Sequence, residues 1–178
     1  MKRIITVLLL LTVVLFACKT QTQNDYKKTI LGTWHAVRLE NPDMDSFFNN
    51  SQHYIDTIGK NNDNATNLQL YGVTNMDSMR KVLQLQYDSA KNMQHDAVMH
   101  TVFNFRPDNV AILMFSGAVD SSKWSIDSTG KLVLTEMSPE GPAETMSMDI
   151  LLLNDTVMKL KMMEDNTYST VTFYPEKK

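Results

Sequence analysis

Residues 145–174 read TMSMDILLLNDTVMKLKMMEDNTYSTVTFY, and their spacing decides the fold. Met146, Met148, Ile150 and Leu152 share one face of a run over 145–153. Met158, Leu160 and Met162 share one face of the next run, 156–164, with Lys159 and Lys161 opposite. Val171 and Phe173 share a face of the third, 167–174. A period of two is the mark of a strand with one buried face. Asn154-Asp155 and Asp165-Asn166 separate the runs. Asn and Asp suit tight turns because their side chains bond their own backbone. Strands joined this tightly must run antiparallel.

The same grammar extends toward the N-terminus. Runs at 102–106 and 110–116 flank Pro107-Asp108-Asn109. Runs at 124–127 and 131–136 flank Ser128-Thr129-Gly130, where glycine is free to take positive φ. Residues 137–144, with Pro139, Gly141 and Pro142, read as a longer loop. A first strand at 31–39 brings the count to eight. The predicted class is mainly β: an eight-stranded antiparallel up-and-down barrel, whose closure removes exposed edges. An open curved sheet packed on a helix is the alternative. Alternation places Phe103, Phe105, Ile112, Met114, Met146, Met148, Met158 and Leu160 on the inner wall as candidate ligand-lining residues. At eight strands that interior is filled by side chains or holds one small ligand.

Two helices are predicted between the first and second strands, in an insertion over about 41–99. Asn41 caps the first, with Pro42 at its first position, and Gly59 stops it. Residues 60–67 read as an Asn/Asp-rich surface loop. The second helix runs from an Asn75 cap to residue 99 without Gly or Pro. Met76, Met79, Leu83, Tyr87, Ala90 and Ala97 form its stripe, broadened by Val82 and Met93. That stripe is expected to dock on the barrel; presenting it to a partner protein is the rival use.

The N-terminus gives location. Lys2 and Arg3 precede an apolar run at 4–16, too short for the roughly 20 residues that span a bilayer. Leu15-Phe16-Ala17-Cys18 closes it with the sole cysteine of the chain. This resembles a bacterial lipoprotein signal over 1–17, cleaved so that a lipidated Cys18 becomes the first residue. The resemblance implies palmitate-type acylation and stable anchoring, since several chains hold where one holds marginally. Residues 18–29 read as a tether and 30–178 as one domain. By analogy, Lys19 rather than Asp after the cysteine leans toward the outer membrane, and the lack of an acidic residue over 19–24 argues against export to the cell surface, which leaves the periplasmic face.

Gly32-Thr33-Trp34 opens the first strand and resembles the Gly-x-Trp signature of lipocalins. With the lipobox, Phe-x-Phe before a Pro-Asp turn, Lys-Trp-Ser-Ile and the closing Thr-Val-Thr-Phe, the chain resembles lipocalin-like domain lipoproteins of Bacteroidota. The resemblance covers about 30–175. It implies that Gly32 and Trp34 are structural, with Trp34 at the closed end, and that the helical insertion overhangs the open mouth as a lid.

Net charge is −3, and loss of Lys2 and Arg3 takes it to −5. With no basic patch, nucleic acid is not an expected partner. No Gly-x-Ser-x-Gly, His-Glu-x-x-His or Gly-rich phosphate loop occurs. The four histidines lack ligand spacing, so no cofactor or metal is expected. Thirteen methionines suit either a plastic apolar pocket or ordinary core filling. The expectation is a non-catalytic, membrane-anchored carrier of a small apolar ligand in the cell envelope. A cavity-free module that binds another envelope protein is the alternative.

Overall fold

The computed structural model describes residues 23–137, 142–164 and 166–177. The signal segment, Cys18, Pro139, Gly141 and Asp165 lie outside the described residues. Eight antiparallel strands close into a barrel in sequence order. They are β1 (Gly32–Glu40), β2 (Val102–Phe105), β3 (Val110–Phe115) and β4 (Ala118–Ile126). The second half is β5 (Leu132–Glu136), β6 (Thr145–Leu153), β7 (Met158–Glu164) and β8 (Thr167–Pro175). β1 pairs with both β2 and β8, which seals the wall.

Four helices accompany the barrel among the described residues. Helix α1 (Gln23–Thr29) precedes β1, and α2 (Pro42–Thr57), α3 (Asn64–Tyr71) and α4 (Met76–Met99) lie between β1 and β2. Two of them differ from expectation. Residues 23–29, expected to be part of a tether, form α1, whose Gln23 side chain donates to the carbonyls of Ile126 and Asp127. Part of the expected loop at 60–67 is the start of α3. There Asp63 accepts from the Thr66 amide, and Gly72 at φ 71° ends the helix in the left-handed region.

β4 is longer than its expected 124–127. Ser116 and Gly117, both at positive φ, form a two-residue hairpin turn that carries β3 directly into Ala118. Asp120, Ser121 and Ser122 are therefore inside a strand rather than between strands.

The barrel is packed at one end. Trp34 is buried, and its indole N–H donates to the Ile30 carbonyl at 2.7 Å. Ile30 is fully buried at the end of α1, so α1 plugs the end where Trp34 sits. Leu132, Leu153 and Met158 fill the same end. A column of rings then leads toward the other end. Trp124 meets Phe105 edge-on at 5.7 Å, Phe105 meets Phe103 at 6.1 Å, and Phe103 meets Phe115 at 5.6 Å.

Phase along two strands differs from the sequence reading. In β3 the buried residues are Ala111 and Leu113; Ile112 and Met114 face outward. The register Phe103↔Leu113 and Phe105↔Ala111 fixes this, because directly paired residues share a face. In β6 a register shift between Ile150 and Leu152 turns Leu153 inward and leaves Leu152 exposed.

A candidate ligand cavity at the barrel mouth

The helical insertion leaves the barrel at the end opposite α1. Two polar contacts seat it there. The Asn41 side-chain oxygen accepts from the Met44 amide and caps α2, while the Asn41 side-chain nitrogen donates to the Ser169 hydroxyl of β8 at 2.9 Å. The Thr167 hydroxyl donates to Asp43. One asparagine thus sets both where α2 begins and where it sits on the rim. The C-terminal turn of α4 returns to the same rim, with Val98 packed against the barrel core. The Ala36 amide donates to the Thr101 carbonyl and ties that turn to β1.

Between these helix ends and the ring column lies a cavity of about 380 Å³. Its floor is Phe103 and Phe173, whose rings lie 4.9 Å apart. Leu39, Phe115, Met162 and Val171 form its walls, and Met44, Ala97 and Val98 roof it. Its polar lining is uncharged: Asn41, Gln94, Thr101, Ser116 and Ser169. Among the described residues no ionisable side chain lines it, so desolvating an apolar molecule there costs no buried charge.

The predicted lining residues divide by height and by phase. Phe103 lies on the cavity floor. Phe105, Met148, Met158 and Leu160 face inward but belong to the packed interior and lie outside the cavity lining. Met146 is on the inner face opposite Leu134, yet half exposed at the rim, where it borders a second, charged cleft with Asp120, Glu136 and Glu144. Ile112 and Met114 are on the outer face. Sequence reasoning missed Leu39, Phe115, Met162, Val171 and Phe173 as cavity lining. Met162, Val171 and Phe173 carried the inward alternation that identifies them; Phe115 follows only once the phase of β3 is known.

Near the rim, among the described residues, β6 and β7 are unpaired with each other. Their register runs from Leu153↔Met158 to Asp149↔Lys161 and stops. Among the described residues, no three His, Cys, Asp or Glu side chains gather as a metal-ligand set. No described helix is long and apolar enough to cross a membrane.

Fold and cavity together define the class: a closed eight-stranded up-and-down barrel, plugged at one end and hollow under a helical insertion at the other. No protein-family model and no curated protein matches the chain. A solved structure that resembles it is a DUF4847 family protein from Bacteroides vulgatus, 12% identical, covering 86% of this chain and 98% of that one, with a TM-score of 0.42. That likeness assigns no function to this chain.

Proposed function

We propose that this protein is a non-catalytic binding module that holds a small apolar ligand in the mouth of its barrel while tethered to a membrane by a lipid on Cys18. The observation that carries the reading is the uncharged cavity above Phe103 and Phe173. Its 380 Å³ falls within the roughly 300–1,000 Å³ of ligand sites. The packed lower barrel supplies a rigid floor, and the cavity opens between the helix ends.

The tether reading rests on the lipobox and places the protein in a bacterial envelope, at the outer membrane facing the periplasm. An interaction module remains the second reading, supported by Phe47, Tyr54, Leu85 and Met93, all more than half exposed on α2 and α4.

Titration of the protein with an environment-sensitive apolar dye, followed by displacement with candidate ligands, tests the carrier reading. Saturable uptake near one site per chain is expected, weakened when Val98→Glu places a charge over the cavity. No saturable uptake by the folded protein ends the carrier reading. The mass of the mature N-terminal peptide tests the tether, and an unmodified Cys18 in protein from its host removes it.

A further inference from the structure

Three carboxylates meet on the inner face of the wall. Leu113 pairs with Asp120 and Ser122 with Glu136, and Leu113 and Ser122 are buried, so Asp120 and Glu136 share that face. The Glu136 amide donates to the Glu144 carbonyl at 2.9 Å, which sets Glu144 opposite Glu136, one step beyond Thr135↔Thr145. Opposite side chains have Cβ atoms about 5 Å apart, diagonal neighbours lie about 7–8 Å apart, and like charges directly opposite destabilise a sheet. Among the described residues none of the three carboxylates is in an ion pair. No described Lys, Arg or His lines the cleft of about 590 Å³ that they border.

Below the carboxylates the cleft is apolar, lined by Leu113 and Phe115 of β3, Leu134 of β5 and Met146 of β6. Ser122 stands between the two zones. It lines this cleft, is 5% exposed, and its hydroxyl makes no hydrogen bond with another described residue. A hydroxyl so enclosed loses stability until a partner reaches it. Met163 of β7 lines the cleft opposite Thr145 and Ser147 of β6, beyond the point where the pairing of the two strands stops at Asp149↔Lys161. The cleft thus sits at the seam where the wall is unpaired. Phe115 lines both this cleft and the mouth cavity, so one ring stands between an anionic compartment and an uncharged one.

We infer that the cleft is a second binding site, for an organic cation: a primary ammonium carried on an apolar stem. An ammonium has three donors and no acceptor, and the three carboxylates with the Ser122 oxygen supply acceptors for all of them. The stem covers Leu113, Leu134 and Met146. A bare metal ion matches less well: among the described residues no three His, Cys, Asp or Glu side chains gather as a ligand set, and the floor is apolar. A quaternary ammonium has no N–H to donate, and Phe115 alone does not make the aromatic cage that such cations use. The site is separate from the uncharged mouth cavity and does not depend on the carrier reading. A free amine and the lysine of a polypeptide present the same chemistry; the lysine would arrive on a strand laid along the unpaired edge of β6.

The test is isothermal titration of the full chain, in phosphatidylcholine nanodiscs with empty nanodiscs as the blank, by 4-phenylbutylamine. Saturable binding near one site per chain is expected, with 4-phenylbutanol and the trimethylammonium analogue at least about tenfold weaker, because neither brings charged N–H donors. Binding should weaken as salt rises, since Asp120 and Glu144 are exposed. The double variant Glu136→Gln/Glu144→Gln should lose at least about tenfold in amine affinity while melting no lower than wild type, because it removes an opposed pair of like charges. Asp120→Asn, at an exposed strand position, should weaken the amine too and serves if the double variant folds poorly. Acetyl-Val-Lys-Val-amide distinguishes the sources: binding at least as tight as the amine's identifies a polypeptide lysine, and weaker binding identifies a free amine. No saturable amine binding by the folded chain overturns the inference. Equal affinity for the amine and either analogue also overturns it, as does amine affinity unchanged in the folded variants. Uptake of the apolar dye, read on the same samples, decides the carrier reading on its own.

Discussion

Two methionines on one strand separate a packed interior from a hollow one. Met158 and Met162 both face inward from β7, paired with Phe173 and Ser169 of β8. Met158 is fully buried at the plugged end, whereas Met162 is partly buried and lines the mouth cavity. Truncating Met158 to Ala removes three buried heavy groups, about 2.4 kcal/mol at 0.8 kcal/mol each. A new void adds to that, and buried methionine-to-alanine changes run about 2–5 kcal/mol in total. Truncating Met162 enlarges a space that already exists and gives up only part of that burial, roughly 1 kcal/mol. Thermal unfolding of a soluble version starting after Cys18 reads both. At about 2–4 °C per kcal/mol for a domain of this size, melting should fall roughly 5–20 °C for Met158→Ala and a few degrees for Met162→Ala. Equal losses at the two sites, or a larger loss at Met162, would refute the reasoning, because the interior would then be uniformly filled.

Other substitutions probe the wall and its plug. Leu113→Ala should cost about 2–4 kcal/mol and Met114→Ala under about 1 kcal/mol by chemical denaturation, since only Leu113 is buried; the reverse order would contradict the β3 register. Trp34→Phe strands the buried Ile30 carbonyl and should cost about 1–3 kcal/mol, read as a lower urea midpoint. Asp127 accepts from the Lys131 amide, the Thr129 hydroxyl and the Thr129 amide, and these bonds hold its carboxyl below the usual carboxylate range. A depressed folded value means the stabilisation is complete above the unfolded pKa near 3.9 and is lost as pH falls through the folded one. Wild type should therefore exceed Asp127→Asn in stability at neutral pH and converge with it in acid, and a gap that persists unchanged there would contradict the turn geometry.

The wall of the barrel was legible because period-two alternation and turn chemistry agree over most of the chain. Asn154-Asp155 and Ser128-Thr129-Gly130 stand where the structure turns, between β6 and β7 and between β4 and β5. Phase was legible only where polar residues mark it. β7 carries Lys159 and Lys161 on its outer face, and its inward set was read correctly. β3 reads VAILMF, apolar on both faces, so alternation alone cannot choose between Ile112 and Leu113. Partner register makes that choice. The bulge at Ile150/Leu152 left no local mark in ILLL. Helix α1 is polar and has no buried residue, so tertiary contacts rather than an apolar stripe hold it. Helix α3 has almost no amphipathic signal, and only its caps, Asp63 and Gly72, announced it. The cavity itself was half legible. Its floor residue Phe103 was named, but its roof depends on where Asn41 seats α2, a contact across 128 positions of sequence.

Diffraction from crystals of the protein under xenon pressure tests the division of the barrel most directly, since apolar cavities admit such atoms and packed interiors do not. Xenon density is expected above Phe103 and Phe173, between Phe115 and Val171, with none among Leu132, Leu153 and Met158. A mouth filled by side chains, or xenon lodged beside Trp34 at the plugged end, would contradict the account.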